Sequence, residues 1–276
     1  MNTSESKKLI DVEKALRSKY KGWVPRPLVK WLRRLIHEDE LNELMRLQKE
    51  VGGVAFARKL VEYLGITTEW VGGDKLPPLT DRTIFVSNHP LGGADGIILT
   101  ALLGEVYEGN MYFLVNDLLM AVYQFQDTFL PVNKYGRQGR ESAKLITAAV
   151  ESKAQVVTFP AGLCSRMNAE GNVRDLRWNT SFLRMAKRSG RQIVPLFFEG
   201  SNSPRFYRWA RWRERLGLKF NYELVLLPDE LIRAQGKHFR IFVGDAVELP
   251  ELPTGQALQE LANRLRDQLY TYPEKV

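Results

Sequence analysis

The chain is poor in the residues that build disulfide frameworks and zinc sites. Cys164 is the single cysteine among 276 residues, and only three histidines are present. One cysteine excludes an internal disulfide framework and suits a reducing compartment. The chain also offers no zinc box of paired cysteines and histidines, so we expect no bound metal and no cofactor.

Long apolar runs are missing as well. Nowhere do the ~18 unbroken apolar residues of a membrane-spanning helix occur. Residues 1–13 are too polar and too charged for a signal peptide. We therefore expect a cytoplasmic protein that meets a membrane, if it does so, as a peripheral protein on the inner face.

Composition and charge set the class of the protein and of its partners. With 44% hydrophobic and 26% charged residues, the chain can bury the large core of a globular α/β protein. Its formal net charge of +8 favours an anionic partner. Nucleic acid, phospholipid headgroups and an acidic protein all meet that condition, and charge alone does not choose among them.

Hydrophobic periodicity divides the chain near residue 75. Residues 1–75 form a predicted N-terminal helical extension, with amphipathic segments over 28–50 and 54–64. Beyond it, over 76–276, short apolar runs alternate with helical patterns. This alternation predicts an α/β fold, a mixed, largely parallel sheet flanked by helices. The predicted strands are 83–87, 111–115, 128–132, 155–159, 192–198, 222–227 and 239–244, and a last helix is predicted over 256–270.

The first chemical motif lies where the strand over 83–87 meets a predicted helix. His89 follows the strand, a turn with Pro90 and two glycines comes next, and Asp95 lies six residues after the histidine. Strand-to-helix turns are where α/β folds place their sites. A histidine with a pKa near ~6.5 accepts a proton at neutral pH, and an aspartate can hold its other ring nitrogen. A lone histidine at a strand end is also often purely structural.

Three further motifs follow other predicted strands. The run over 129–140 ends in a loop with Lys134, Arg137 and Arg140, which suits a phosphate or carboxylate unless it is simply solvated. The second motif runs from Phe159 through Pro160 and Gly162 to Ser165 and Arg166, and the third is Val194-Pro195. Glycine and proline there are also explained by tight turns and strand ends.

Together the four motifs resemble the ordered blocks of the glycerolipid and lysophospholipid acyltransferase superfamily over about residues 80–200. Most members have four residues between the histidine and the aspartate, whereas Pro90–Ala94 makes five here. This longer form resembles the hemolysin-like branch that includes ornithine and glycine lipid N-acyltransferases. The Glu, Thr and Arg of the superfamily's Phe-Pro-Glu-Gly-Thr-Arg-Ser block are replaced by Ala161, Leu163 and Cys164, which leaves the glycerol-phosphate grip incomplete.

The resemblance implies a single displacement without a serine or cysteine nucleophile. His89 and Asp95 would be the catalytic pair, and an acceptor would attack a carrier thioester directly. Backbone N–H groups near Gly162 or in the Gly92-Gly93 turn are candidate oxyanion donors. The implied substrate-binding residues are Asn88, Lys134, Arg137, Arg140, Phe159, Pro160, Gly162, Ser165, Arg166 and Pro195. His37, in a charged helical stretch, and His238, in a loop, have no nearby partner in sequence that marks them as functional.

Two basic aromatic segments bear on where the protein works. Residues 23–36 and 204–216 combine Trp, Tyr and Phe with many cations. Such helices can lie in the headgroup layer with arginine and lysine toward anionic lipid. Alternatively, Phe206, Trp209 and Leu216 are core contacts with arginines extending outward.

The sequence as a whole favours an acyltransferase that moves a fatty acyl group from acyl carrier protein or coenzyme A to the amine of an amino acid such as glycine or ornithine. O-acylation of a lysophospholipid such as lysophosphatidate is the nearest alternative. A non-catalytic basic protein that binds membrane surfaces is an alternative of another class. Nucleic acid is not expected as a partner, because no RNA- or DNA-binding module is found.

Overall fold

The computed structural model describes residues 10–19, 24–47, 51–116, 122–132, 139–249 and 251–275. Within these residues the main sheet has seven strands in the order β1-β9-β8-β2-β5-β3-β4. All neighbouring pairs are parallel except β8 and β9. The strands are β1 Thr67–Val71, β2 Thr83–Ser87, β3 Met111–Asn116, β4 Phe129–Val132, β5 Gln155–Thr158, β8 Gln192–Phe198 and β9 His238–Val243, and a separate hairpin joins β6 Arg166–Met167 to β7 Val173–Arg174.

Helices cover both faces of this sheet. Because side chains alternate along a strand, Phe85 of β2 joins the core on one face while Ile84 and Val86 join the core on the other. The first core is completed by α3, α4 and α5, and the second by α6, α7 and α10. The helices are α1 Val12–Lys19, α2 Arg26–Leu35, α3 Glu38–Leu47, α4 Gly53–Tyr63, α5 Ala94–Val106, α6 Arg140–Glu151, α7 Ser181–Ser189, α8 Pro204–Arg215, α9 Leu227–Ile232 and α10 Gly255–Leu269. The predicted α/β fold with a mixed, largely parallel sheet is confirmed.

Helices α4 and α5 pack unusually closely. A Cβ atom added at Gly104 of α5 would lie 2.3 Å from Val54 Cγ1 of α4, well inside van der Waals contact. Only glycine therefore allows this approach of the two helices. The helix whose first turn carries Asp95 is backed along its length by an N-terminal helix.

Three predictions of secondary structure are wrong. Residues 222–227 are not a strand, because Tyr222–Leu226 is a 3-10 helix in which Glu223 and Leu226, three residues apart, are buried. Residues 28–50 are not one helix, since α2 and α3 are separated at His37, whose φ is 53°. The segment before residue 75 is not helical throughout, because it contains β1, which pairs with β9.

The strand β1 ties the N-terminal segment to the main sheet. Leu60, Leu64 and Ile66 also belong to the same hydrophobic core as Phe85 of β2. The division of the chain at residue 75 stays a prediction, but the segments on its two sides share this core.

Candidate active site

His89 and Asp95 meet at the carboxyl end of β2. The histidine follows the strand by two residues, and the aspartate lies in the first turn of α5. Their side chains are hydrogen-bonded, with 3.0 Å between His89 Nδ1 and Asp95 Oδ2. The structure therefore brings together the two residues predicted as base and orienting partner.

The Asp95 carboxylate is fixed by the turn that separates it from His89. It is fully buried and accepts hydrogen bonds from the backbone N–H of Leu91 at 2.9 Å and of Gly96 at 2.8 Å. Gly92 in the same turn has φ 69°, and an added Cβ would lie 3.0 Å from Cys164 Cβ. The five-residue spacing thus forms a compact loop around the carboxylate, with a left-handed residue at which glycine is favoured.

The imidazole of His89 is held on one side and free on another. Phe159 stacks on it with 4.2 Å between ring centroids, and the side chain is 16% exposed. Within the described residues, no hydrogen bond reaches Nε2. Burial lowers the pKa of His89, but the charge and hydrogen bond of Asp95 and the charge of Asp175 outweigh it, so the pKa is raised above 6.5.

A second buried carboxylate, Asp175, contacts the backbone of His89. It accepts hydrogen bonds from the backbone N–H of His89 at 3.1 Å, from Ser165 Oγ at 2.6 Å and from Trp178 Nε1 at 2.8 Å. Its own N–H donates to the Tyr270 hydroxyl at 2.7 Å. Burial raises the pKa of Asp175, and these hydrogen bonds oppose the rise. Sequence reasoning missed this residue, which lies 86 positions after His89.

Arg166 is buried and bound to protein groups. Its guanidinium donates to Glu223 Oε1 at 2.7 Å and to the Cys164 carbonyl at 2.9 Å, and it lies over the Phe206 ring. Glu223 is fully buried and also accepts from Arg213 Nε at 3.0 Å. With its guanidinium paired in this way, Arg166 is a poor candidate for holding a substrate carboxylate.

Ser165 and Asn88 also direct their polar atoms at the protein. Ser165 is fully buried, and its N–H donates to the His89 carbonyl at 2.8 Å in addition to its bond with Asp175. The amide of Asn88 exchanges two hydrogen bonds with the backbone of Phe198, at 2.9 and 2.7 Å. Both residues therefore hold the ends of strands in place around His89.

The remaining predicted residues surround this centre at different distances. Gly162 has φ 61° and its N–H donates to the Phe159 carbonyl, so this N–H is used by the turn itself. The Pro160 carbonyl accepts from the Asn179 N–H, and Pro195 lies buried within β8. Arg140 is exposed at the start of α6. Lys134 and Arg137 lie outside the described residues.

No protein nucleophile accompanies the histidine among the described residues. Cys164 is buried, its pKa is raised well above the usual value by burial, and its thiol donates to the Pro90 carbonyl. Ser165 donates to Asp175 and not to the imidazole. No group of three or more His, Cys, Asp or Glu side chains in this part of the chain is arranged to hold a metal ion. The arrangement offers a general base for an external acceptor.

Comparison with known proteins identifies the family of the chain. The lyso-glycine lipid O-acyltransferase of Phocaeicola vulgatus is 38% identical over 272 residues, 97% of this chain and 96% of its own. The protein of that name from Bacteroides thetaiotaomicron is 37% identical, over 97% and 99% of the two chains. The crystal structure of the 1-acyl-sn-glycerophosphate (LPA) acyltransferase PlsC from Thermotoga maritima matches 94% of this chain and 87% of its own, with a TM-score of 0.46 and 12% identity. A family model described as acyltransferase matches residues 12–275, so the chain belongs to this family and is an acyltransferase.

Proposed function

We propose that the protein transfers a fatty acyl group from a carrier thioester to the hydroxyl of a lyso-glycine lipid, with His89 as the general base. The observation that carries the proposal is the hydrogen bonding of the His89 imidazole. Its Nδ1 is bound to buried Asp95, while its Nε2 has no partner among the described residues. The acceptor comes from the two relatives, which match this chain over nearly the full length of both proteins.

The chemistry needs only one displacement. The acceptor oxygen bonds to the thioester carbonyl carbon while its proton passes to Nε2 of His89. The tetrahedral intermediate then collapses, the carbon–sulfur bond breaks, and the leaving thiolate takes the proton from the imidazolium. Asp95 fixes the tautomer and stabilises the imidazolium, and general-base catalysis of this kind contributes roughly 10²–10⁴-fold.

The acceptor in this proposal differs from the one that the sequence favoured. The sequence favoured the amine of a free amino acid, whereas both relatives are named as O-acyltransferases of a lipid that already contains glycine. A hydroxyl also suits this base, because it needs no prior deprotonation of an ammonium group. Glycine remains part of the acceptor, but the bond that forms is an ester.

The donor and the location complete the proposal. Acyl carrier protein and acyl-coenzyme A are both anionic thioesters, and a net charge of +8 favours either of them. None of the described helices is both long and apolar enough to cross a bilayer. We place the enzyme peripherally on the inner face of the membrane. Of the basic residues in the motif over 129–140, Lys134, Arg137 and Arg140 are the best candidates to hold a carboxylate, since Arg166 is paired with Glu223.

The test is a product assay with purified protein. Acyl carrier protein and coenzyme A thioesters are each incubated with lyso-glycine lipid, free glycine, ornithine and lysophosphatidate, and products are identified by mass. We expect an O-acylated lyso-glycine lipid, and none with His89→Ala. An N-acyl amino acid would restore the acceptor that the sequence favoured. Acylation of lysophosphatidate alone would overturn the glycine-lipid assignment and leave the base in place.

A further inference from the structure

We propose that the exposed side of α8 and the segment that follows it is the surface that binds an anionic lipid bilayer and holds it beside the active site. This aromatic–basic surface consists of the apolar side chains Trp212, Leu216, Leu218, Phe220 and Tyr222 and the cations around them. The role of the bilayer as the source of the acceptor rests on the proposed function, whereas the binding itself does not.

Apolar exposure is concentrated here. Leu216 is 70% exposed, Phe220 68% and Trp212 60%, which are the three highest values among the large hydrophobic residues that the structure describes. Six of the twelve exposed large hydrophobics in the described residues lie between 212 and 225. Single exposed apolar residues are normal on a soluble protein, but such a concentration marks an interaction surface.

Cations surround these apolar side chains. Arg208, Arg211 and Arg215 on α8 and Lys219 just after it are all exposed. The exposed acidic residue on α8 is Glu214, which pairs with Arg213 at 3.0 Å. Tryptophan and phenylalanine beside arginine and lysine match the depth profile of an anionic bilayer, with apolar tips below the headgroups and cations level with the phosphates.

The opposite side of α8 is well packed, so the exposed apolar side chains do not reflect a poorly packed helix. Phe206, Tyr207 and Ala210 are buried in the core beneath the helix. Trp209 is partly buried and stacks on Trp31 of α2, with 6.3 Å between ring centroids. The core interpretation therefore holds for Phe206 and partly for Trp209, but it is wrong for Leu216, which is exposed on the other side.

Helix α2 extends the surface. Trp31 is 46% exposed and Leu28 42%, and Lys30 and Arg34 on the same helix are exposed. Because the ring of Trp31 stacks on Trp209, the exposed side chains of α2 adjoin those of α8. The cations and aromatic rings of two helices can then contact one bilayer.

The surface is fastened to the catalytic turn by buried ion pairs. Arg213 of α8 binds Glu223, and Glu223 binds Arg166 at the start of β6. Arg166 directly follows Ser165, whose N–H donates to the carbonyl of His89. A bilayer bound at this surface is thereby connected, through two ion pairs and one backbone hydrogen bond, to the turn of the proposed general base.

A bilayer is favoured over another protein as the occupant. A second copy of this chain would place arginines against arginines. An acidic carrier protein would satisfy the cations, but it gives no reason for so many large apolar side chains to be exposed among them. The test below separates the carrier from the bilayer.

The experiment is sedimentation with vesicles of phosphatidylcholine alone and with added phosphatidylglycerol. Leu216→Glu/Phe220→Glu is compared with Leu79→Glu/Leu145→Glu, whose leucines are 51% and 53% exposed in other parts of the molecule. Both double variants add the same two negative charges, so only the location differs. We expect the wild type and the Leu79/Leu145 variant to bind the anionic vesicles, and the Leu216/Phe220 variant to bind about tenfold or more weakly. Thermal unfolding of both variants at the temperature of the wild type shows that the fold is unchanged.

Several results would overturn the proposal. They are equal binding by the two double variants, no binding of anionic vesicles by the wild type, and loss of affinity for acyl carrier protein without loss of vesicle binding. Turnover separates this proposal from the proposed function. With a detergent-dispersed acceptor, the Leu216/Phe220 variant is expected to keep wild-type turnover. With an acceptor carried in vesicles, the same variant is expected to lose its turnover. If no acceptor is acylated but vesicle binding depends on Leu216 and Phe220, the proposed function fails and the surface stands.

Discussion

Two histidines of this protein hydrogen-bond to carboxylates, and only one of them leaves a ring nitrogen without a partner among the described residues. His89 hydrogen-bonds Asp95 through Nδ1 alone. His37 hydrogen-bonds Glu40 through Nδ1 at 3.2 Å and Asp229 through Nε2 at 3.1 Å. Both ring nitrogens of His37 are therefore occupied by the protein, whereas Nε2 of His89 has no partner among the described residues.

The carboxylates that contact His89 and His37 also differ in their surroundings. Asp95 is fully buried and bound by backbone N–H groups, so its interaction with His89 is strong and fixed. Of the partners of His37, Glu40 is partly exposed, and Asp229 is buried but shared with Arg205 and Arg233. Burial raises the pKa of Asp229, but the hydrogen bonds from Arg233 and His37 and the charges of both arginines leave it lowered. A histidine–carboxylate contact is therefore not by itself evidence of catalysis, and the contacts of His37 connect the junction of α2 and α3 to α9.

The largest expected effect separates the two histidines. We expect His89→Ala to lower kcat by roughly 10²–10⁴-fold, because the general base is lost. We expect His37→Asn, which tolerates the left-handed backbone at this position, to change kcat by less than about twofold. Steady-state kinetics on the two variants decides the matter. Similar losses in both would show that the difference in ring occupancy has no catalytic meaning.

Removal of the Asp95 charge is expected to be the next largest effect. Since a base must be neutral, kcat/KM of the wild type falls as the pH decreases through the pKa of His89, which lies above 6.5. In Asp95→Asn, burial still lowers that pKa and its main opposing charge is gone. The acidic limb should move to lower pH, and kcat should fall on the order of 10²-fold because the tautomer is no longer fixed. An unmoved acidic limb would assign the titration to another group.

A smaller effect is expected at the second buried carboxylate. Asp175→Asn keeps the shape of the side chain but opposes an amide N–H to a donor such as Trp178 Nε1. We expect about a tenfold loss of kcat, a cost of about 1–3 kcal/mol in the free energy of unfolding, and a slight shift of the acidic limb to lower pH. Asp267→Asn, at a half-exposed carboxylate paired with Arg174, is the matched control and should leave all three unchanged. A stability loss with an unchanged pH profile would reduce Asp175 to a purely structural residue.

The smallest expected effect is on stability and concerns His37. We expect His37→Asn to lower the free energy of unfolding by about 0.5–1 kcal/mol, the range of partly exposed ion pairs. Because the loss comes from contacts with Glu40 and Asp229, it should shrink at high salt. Chemical denaturation at low and high salt measures both quantities. An unchanged free energy of unfolding would mean that these contacts do not stabilise the N-terminal helices.

Much of the sheet could be predicted from the sequence because the central residues of its inner strands are apolar. All five residues of β2 are buried, and a run of that kind has few other interpretations. The edge strand β1 was missed because its residues, Thr67–Val71, are mixed in polarity and at most partly buried. Residues 222–227 were misassigned for the opposite reason, since their apolar side chains suggest a strand although several of them face solvent.

The site divides in a similar way between local and distant contacts. The pairing of His89 with Asp95 could be predicted because only the five residues of one turn separate them. The contacts of Asp175 with His89 and of His37 with Asp229 span 86 and 192 positions, and no local pattern announces them. The substrate-binding part assigned to Arg166 could not be judged from sequence, because its partner Glu223 lies in the misassigned segment.

The close approach of α4 and α5 at Gly104 has a consequence for engineering. A side chain at this position would push α4 away from α5, and the displacement of α5 would shift Asp95 in its first turn. Shortening the protein from its N-terminus beyond α4 would expose the same flank of α5 to water. Helix α4 thus supports the candidate active site from the far side of α5. It must be kept in any minimal form of the enzyme.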